Sequence, residues 1–354
     1  MTRPPTWPSP ANEILLRACL VKGPEAIAAW NEWRPESSFE LVPALAGRLL
    51  PAAYENLREQ GASPESLERI KGTYRYCWVK NSRQFAQLAK ILRQLAQQGI
   101  PVMALKGLDV LLRYYPKLGM RFMEDVDLLV RPEHVMPTME YLQSQGFKNW
   151  TQDIPKFVSA NYGVNLEHEE GYQLDLHWHA LDTCSWAGGD ELLWERSTAA
   201  TVMGMPLRFP CPEESLMIAL VHGMQYPVDA SPRWVCDAVH ILQSSPDFNW
   251  PLLHEITQQR RTAWPVQQGL DYLHHWDPNL VPEESLGLIN SLPISSSDRS
   301  GFRLMSEAKT ETTTGKISKA IWLYRRRFSP RPSLVDWLKL PAHLRNRRGG
   351  FGFF

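Results

Sequence analysis

Apolar positions recur at intervals of three and four through the first hundred residues. Ile14, Leu15 and Ala18 form one such set, and Phe85, Leu88, Leu92 and Leu95 another. Gly23-Pro24, the stretch from Gly61 to Pro64, and Gly99 punctuate them, so residues 1–98 read as an N-terminal helical region. The pattern changes at Ile100. Ile100 to Leu105 is a short apolar run, Lys106-Gly107 breaks it, and 108–115 predicts one or two helical turns. Glu124 to Val130, whose apolar positions Val126 and Leu128 to Val130 follow Asp125 and flank Asp127, reads as a strand. Pro132 to Gln145 predicts a helix stopped by Gly146. Tyr172 to His179 alternates, with Leu174, Leu176 and Trp178 on one face and Asp175, His177 and His179 on the other. This succession assigns residues 99–210 to an α/β core. Helical periodicity returns over 213–224, 234–242, 252–259 and 266–275, giving a C-terminal helical domain at 211–297. The polar, threonine-rich start of 298–354 predicts a linker leading into a basic tail.

A chain of 354 residues is long enough to bury a substantial core without disulfide staples. The five cysteines are scattered without metal-knuckle or redox spacing, as expected of reduced thiols. No apolar run approaches the roughly 18 residues of a membrane-spanning helix, and Met1 to Pro10 lacks the apolar core of a secretion signal. The expected location is cytoplasmic. Thirty-eight basic side chains balance 38 acidic ones. That balance is an average over unequal parts: from Lys316 onward ten Lys or Arg face only Asp336, so the tail carries +9 and the rest −9. The tail reads either as a solvated basic helix end or as a contact for an acidic partner, an anionic lipid surface or RNA.

The candidate chemistry lies between residues 105 and 179. In a strand, Asp125 and Asp127 point to one side with Cα atoms about 6.6 Å apart. Two carboxylates in so apolar a segment require a cation, and Mg²⁺ is the simplest, with Asp175 as a third ligand from another strand. Two-metal phosphoryl or nucleotidyl transfer asks for such a set. Lys106-Gly107 at a helix start offers free amides, a partial positive charge and an ammonium for a triphosphate, with Arg121 as a second phosphate clamp. His177 is expected beside the carboxylates, orienting the acceptor. A zinc cluster of His168, His177 and His179 with Glu167, Glu169 or Glu170 is the weaker alternative, since no helical His-Glu-x-x-His exists. Arg233 is either a substrate contact or the partner of Asp237 four residues on. His222 reads as a core histidine.

Leu105-Lys-Gly107, Tyr115-Pro116, Arg121, Asp125-Val-Asp127-Leu-Leu-Val130, Gly146-Phe147 and Asp175-Leu-His177-Trp178 together resemble the uncharacterised bacterial nucleotidyltransferase family of the DNA polymerase β-like superfamily. Glu214, Leu216, His222-Gly223, Arg233-Trp234, Asp237 and Asn249-Trp250 extend the resemblance over about residues 40–345. It implies an α+β fold, a nucleotidyltransferase-like mixed sheet flanked by helices. It also implies Mg²⁺-dependent transfer of a nucleoside monophosphate from a nucleoside triphosphate. On that pattern Asp125, Asp127 and Asp175 are catalytic and metal-binding, while Lys106, Gly107, Arg121, His177 and Arg233 contact the nucleotide or acceptor. The superfamily usually has Gly-Gly or Gly-Ser at the phosphate turn, whereas here Leu108 follows Gly107, which removes a hydroxyl. A protein or peptide, a small molecule and RNA all remain acceptors to consider. The alternatives are an inactive nucleotide-binding protein of this fold and a tRNA-modifying, toxin-like enzyme.

Overall fold

A computed structural model describes residues 7–33, 44–149, 153–225, 232–306, 312–328 and 332–347. Seven strands form one mixed sheet: β1 Met103–Ala104, β2 Val126–Leu129, β3 Phe147–Lys148, β4 Gly163–His168, β5 Gln173–His177, β6 Thr198–Val202 and β7 Met205–Phe209. Their order across the sheet is β3-β4-β5-β2-β1-β7-β6. The inner pairs β2/β5 and β1/β7 are parallel, and the remaining pairs are antiparallel. β2 is buried along its whole length, as expected of a central strand covered on both faces. Short edges close the sheet: β3 has two residues, and β6 is a polar, small-residue strand that is mostly exposed. The β6–β7 turn places Met203 and Gly204 at φ 52° and 75°, the positive pair of a type I′ hairpin.

The helical expectation for the N-terminal region is met by Pro10–Leu20, Pro24–Trp33, Leu50–Glu59 and the 34-residue Pro64–Gln97. Ser63 caps the long helix through Ser66 N–H, and Pro64 occupies its first turn. After the sheet, Pro212–Gly223 is buried all round from Glu213 to Val221 and is the hub of the C-terminal helices. It packs against Arg233–Gln243, Trp250–Gln259 and Ala263–Trp276. Gly223 and Gly269 allow the close crossings, since added Cβ atoms would lie 2.4 Å from Trp234 and 2.7 Å from Leu220. Helix Pro10–Leu20 touches Arg233–Gln243, so the N-terminal and C-terminal helices pack against each other. Among the described residues no helix is long and apolar enough to cross a membrane.

The stretch read as a linker is folded wherever it is described; 307–311, 329–331 and 348–354 lie outside the described residues. Ser296–Ser306 and Thr313–Arg326 are helices, with Phe302 and Met305 buried and the Phe302 and Trp322 rings edge to face at 5.0 Å. Polar composition hid this docking because arginines perform it. Arg326 is 3% exposed and donates to the carbonyls of Thr183, Arg260 and Arg261 at 2.7, 3.1 and 3.0 Å, and to Asp298 at 2.6 Å. Arg327 donates to Ser159 and Ala160 carbonyls, and Arg347 pairs with Asp182 at 2.8 Å. Part of the tail's positive charge is therefore spent inside the protein. Replacing Arg326 with Met leaves three buried carbonyls and Asp298 without their donor. Urea unfolding of that variant is expected to show a loss of about 3–5 kcal/mol.

Candidate active site

Parallel pairing of β2 with β5 sets Asp127 directly beside Asp175 and Leu129 beside His177. The period of two then places Asp127, Asp175 and His177 on one face of the sheet. Asp125 lies just before β2, two residues from Asp127. On the other flank, Leu105 N–H donates to Asp127 O at 3.1 Å, so the turn at Lys106-Gly107 is stitched to the same strand. The helix opened by that turn, Lys106–Arg113, begins two residues earlier than its apolar pattern suggests.

These residues line one cleft of about 360 Å³. Asp125, Asp127 and Asp175 lie in it with Lys106, Arg121, Arg233 and Arg48, and Tyr162, His222 and Trp234 complete its walls. Asp127 and Asp175 are 5% and 6% exposed and His177 is fully buried. Lys106 Nζ donates to Asp127 Oδ1 at 2.7 Å and lies 3.3 Å from His177 Nε2, which is itself 2.9 Å from the same Asp127 oxygen. Burial alone would raise the Asp127 carboxyl, but Lys106 and the His177 hydrogen bond hold it well below the usual carboxylate range. Asp175 is pushed up to about 8 by burial and then by Asp127 and Asp125, although Asn165 Nδ2 donates to it at 2.7 Å. Burial and Lys106 lower His177 to about 4, so the ring is neutral near pH 7.

The loop carrying Arg121 and Asp125 is fixed from three directions. Asn81 donates to the carbonyls of Leu118 and Arg121, Gln84 to that of Glu124, and Arg233 Nη1 to that of Phe122 at 2.9 Å. Arg121 donates through Nε and Nη2 to both oxygens of Asp237, each at 2.8 Å, and Tyr115 Oη donates to Asp237 as well. The i,i+4 pair expected between Arg233 and Asp237 is thus replaced by a bidentate pair with Arg121, whose planar fork matches the carboxylate better. Gly107 has a second role, too: a Cβ there would sit 2.7 Å from Arg121 Nη1.

Of the residues expected in the site from the sequence, Lys106, Gly107, Arg121, Asp125, Asp127, Asp175 and Arg233 line this cleft, and His177 is buried behind it against Asp127. The three-histidine cluster does not form. His168 contacts Gln145 O, His179 pairs with Asp190, and only His177 faces the carboxylates. Asp127, Asp175 and His177 bring ligand atoms within 4.8 Å of one another and could hold a metal ion, with Asp125 outside that cluster. His222 lines the cleft instead of lying wholly in the core. Arg48, Tyr162 and Asn165 went unread, although the alternation of Gly163 to His168 carried the signal for Asn165, which pairs in register with Asp175. Asp109, expected as a helix-start charge, is instead buried against Ser215 Oγ at 2.5 Å and raised to about 6 by burial.

An acid-lined cleft with a helix-opening turn on one flank and fixed arginines on the other suits a protein that handles phosphate groups. The family described as "Uncharacterised nucleotidyltransferase" matches residues 43–278, and the chain belongs to that family. Similar solved structures include an antigenic nucleotidyltransferase-like protein from Paracoccidioides brasiliensis, 17% identical over 60% of this chain and 94% of that one, with a TM-score of 0.38. The lincosamide antibiotic adenylyltransferase LnuA with lincomycin bound is 17% identical over 44% of this chain and 94% of its own, with a TM-score of 0.32. The antibiotic-resistance factor ANT(2'')-Ia is 15% identical over 55% and 99%, with a TM-score of 0.36. No curated protein matches the sequence.

Truncating Asp237 to Ala strands the buried Arg121 guanidinium. The variant is expected to lose about 3–5 kcal/mol in chemical denaturation, and exchanging Tyr115 for Phe about 1 kcal/mol.

Proposed function

We propose that the protein moves a nucleoside monophosphate from a nucleoside triphosphate to an acceptor hydroxyl, with Mg²⁺ as the metal. The observation that carries this reading is the side-by-side register of Asp127 and Asp175 in a cleft shared with Asp125, Lys106, Arg121 and Arg233. The donor set fits a hard divalent cation, because three carboxylates supply the oxygen ligands Mg²⁺ prefers, and Asp175, raised first by burial and then by its acidic neighbours, is a carboxyl that a bound cation would help to ionise. Bound there, Mg²⁺ would supply Lewis-acid polarisation of the α-phosphate.

The chain's own residues divide the remaining work. Asp125, Asp127 and Asp175 hold the metal; Lys106 and Arg233 face phosphate oxygens, with Arg121 holding the turn at Gly107 in place. The acceptor oxygen forms a bond to the α-phosphorus, the bond from that phosphorus to the bridging oxygen breaks, and pyrophosphate departs. The acceptor's proton passes to a carboxylate oxygen of Asp175, oriented by Asn165. Tyr162 stacks on His177 at 5.4 Å between centroids and keeps that ring against Asp127. Leu108 is fully buried in the core and offers the phosphates nothing, so in this reading the ammonium of Lys106 replaces the hydroxyl common at that turn.

An inactive, nucleotide-binding reading is favoured by one feature alone, the Lys106–Asp127 ion pair that already neutralises a metal-binding oxygen. Pyrophosphate release measured with each nucleoside triphosphate and Mg²⁺, against a panel of hydroxyl acceptors, separates the two. Asp127→Asn is expected to lower release by about 100-fold or more while leaving the circular dichroism spectrum unchanged. Equal label transfer by wild type and Asp127→Ala would sink the transfer reading.

A further inference from the structure

Lys106 stands at φ +45°, one of three described non-glycine residues with positive φ. For a residue with a Cβ that region costs about 1–2 kcal/mol, and glycine would adopt it freely. A lysine retained there must gain something from the conformation. The conformation turns the side chain back across the strand ends. The ammonium, on a side chain only 11% exposed, is thereby held 2.7 Å from Asp127 Oδ1 and 3.3 Å from His177 Nε2.

Asp127 and His177 both belong to the group able to hold a metal ion. A divalent ion coordinated at about 2.0–2.2 Å by both of them would lie no farther than about 4 Å from a fixed ammonium. Repulsion between +2 and +1 charges that close disfavours simultaneous occupancy.

We propose that Lys106 is a resident counter-ion standing where a second metal would bind, so that the site takes one divalent cation, on the side of Asp127 facing Asp125 and Asp175. His177 then positions Asp127 through its hydrogen bond and ligates nothing. The proposal rests on the metal-binding reading given above. It also assigns the strained backbone a purpose, holding a cation at that oxygen while Leu105 remains bonded to β2.

Mn²⁺ binding, counted by electron paramagnetic resonance without nucleotide and again with a non-hydrolysable nucleoside triphosphate analogue, tests this directly. Wild type is expected to bind one Mn²⁺ per chain under both conditions beyond any bound by the analogue alone. Lys106→Arg keeps the count at one. Lys106→Met raises it to two, and adding His177→Ala to Lys106→Met returns it to one. Two ions on wild type, or an unchanged nonzero count in Lys106→Met, overturns the proposal; loss of those ions in Asp127→Asn would still leave the metal-dependent reading standing. No Mn²⁺ on any variant overturns both. The wild-type count decides the matter even if Lys106→Met fails to fold.

Discussion

Two aspartates set side by side on adjacent buried strands are the constraint around which this protein is organised. Asp127 and Asp175 face each other in register at the centre of the sheet, where water cannot disperse their charge. Three nearby cationic or polar groups answer that placement. Lys106 crosses from the neighbouring turn, His177 donates from the next residue pair, and Asn165 reaches over from β4. Burial, and then the charges of Asp127 and Asp125, nonetheless hold Asp175 far above the ordinary carboxylate range. A fold selected for stability alone would place leucines at such positions; the residual imbalance is what a cationic ligand can relieve.

Around that centre the architecture separates positive from negative. The carboxylates come from β2, β5 and the residue pair before β2, all short and rigid. The arginines come from the loop before β2, from the helical part that follows the sheet and, for Arg48, from the N-terminal region. Asn81 and Gln84 of the long N-terminal helix hold the loop, and the close crossings at Gly223 and Gly269 bring Arg233 and Trp234 to the cleft. The flanking helices therefore do more than cover apolar strands. They fix the distance between the two charged walls, and the docked tail extends this bracing to the segment after β5 through Arg326 and Thr183.

The carboxylate wall was legible because strand periodicity is local: Asp125, Asp127, Asp175 and His177 announce their shared faces by spacing of two. The helical regions were legible for the same reason, with boundaries a few residues out. What the sequence hid was long-range pairing. Arg121 and Asp237 are 116 residues apart, and nothing in either segment marks the other, so Asp237 was naturally assigned to its helical neighbour Arg233. Strands β3, β4, β6 and β7 were not read individually, being short or weakly apolar. The tail misled by composition, because an arginine that snorkels over Phe302 and Trp322 into carbonyl oxygens looks, in a list of charges, like one facing solvent.

The seating of the Arg121 guanidinium in the space above Gly107 imposes an order on how this site can change over generations. A side chain at position 107 is admissible only after Arg121 has been shortened or moved, and Arg121 can be surrendered cheaply only once Asp237 has lost its charge. The three positions, spread over 131 residues of chain, therefore change in an order whose first step, on the helix far from the turn at Gly107, itself strands the buried Arg121 guanidinium. Lineages that begin at the glycine meet a steric barrier, and those that begin at the arginine meet an electrostatic one.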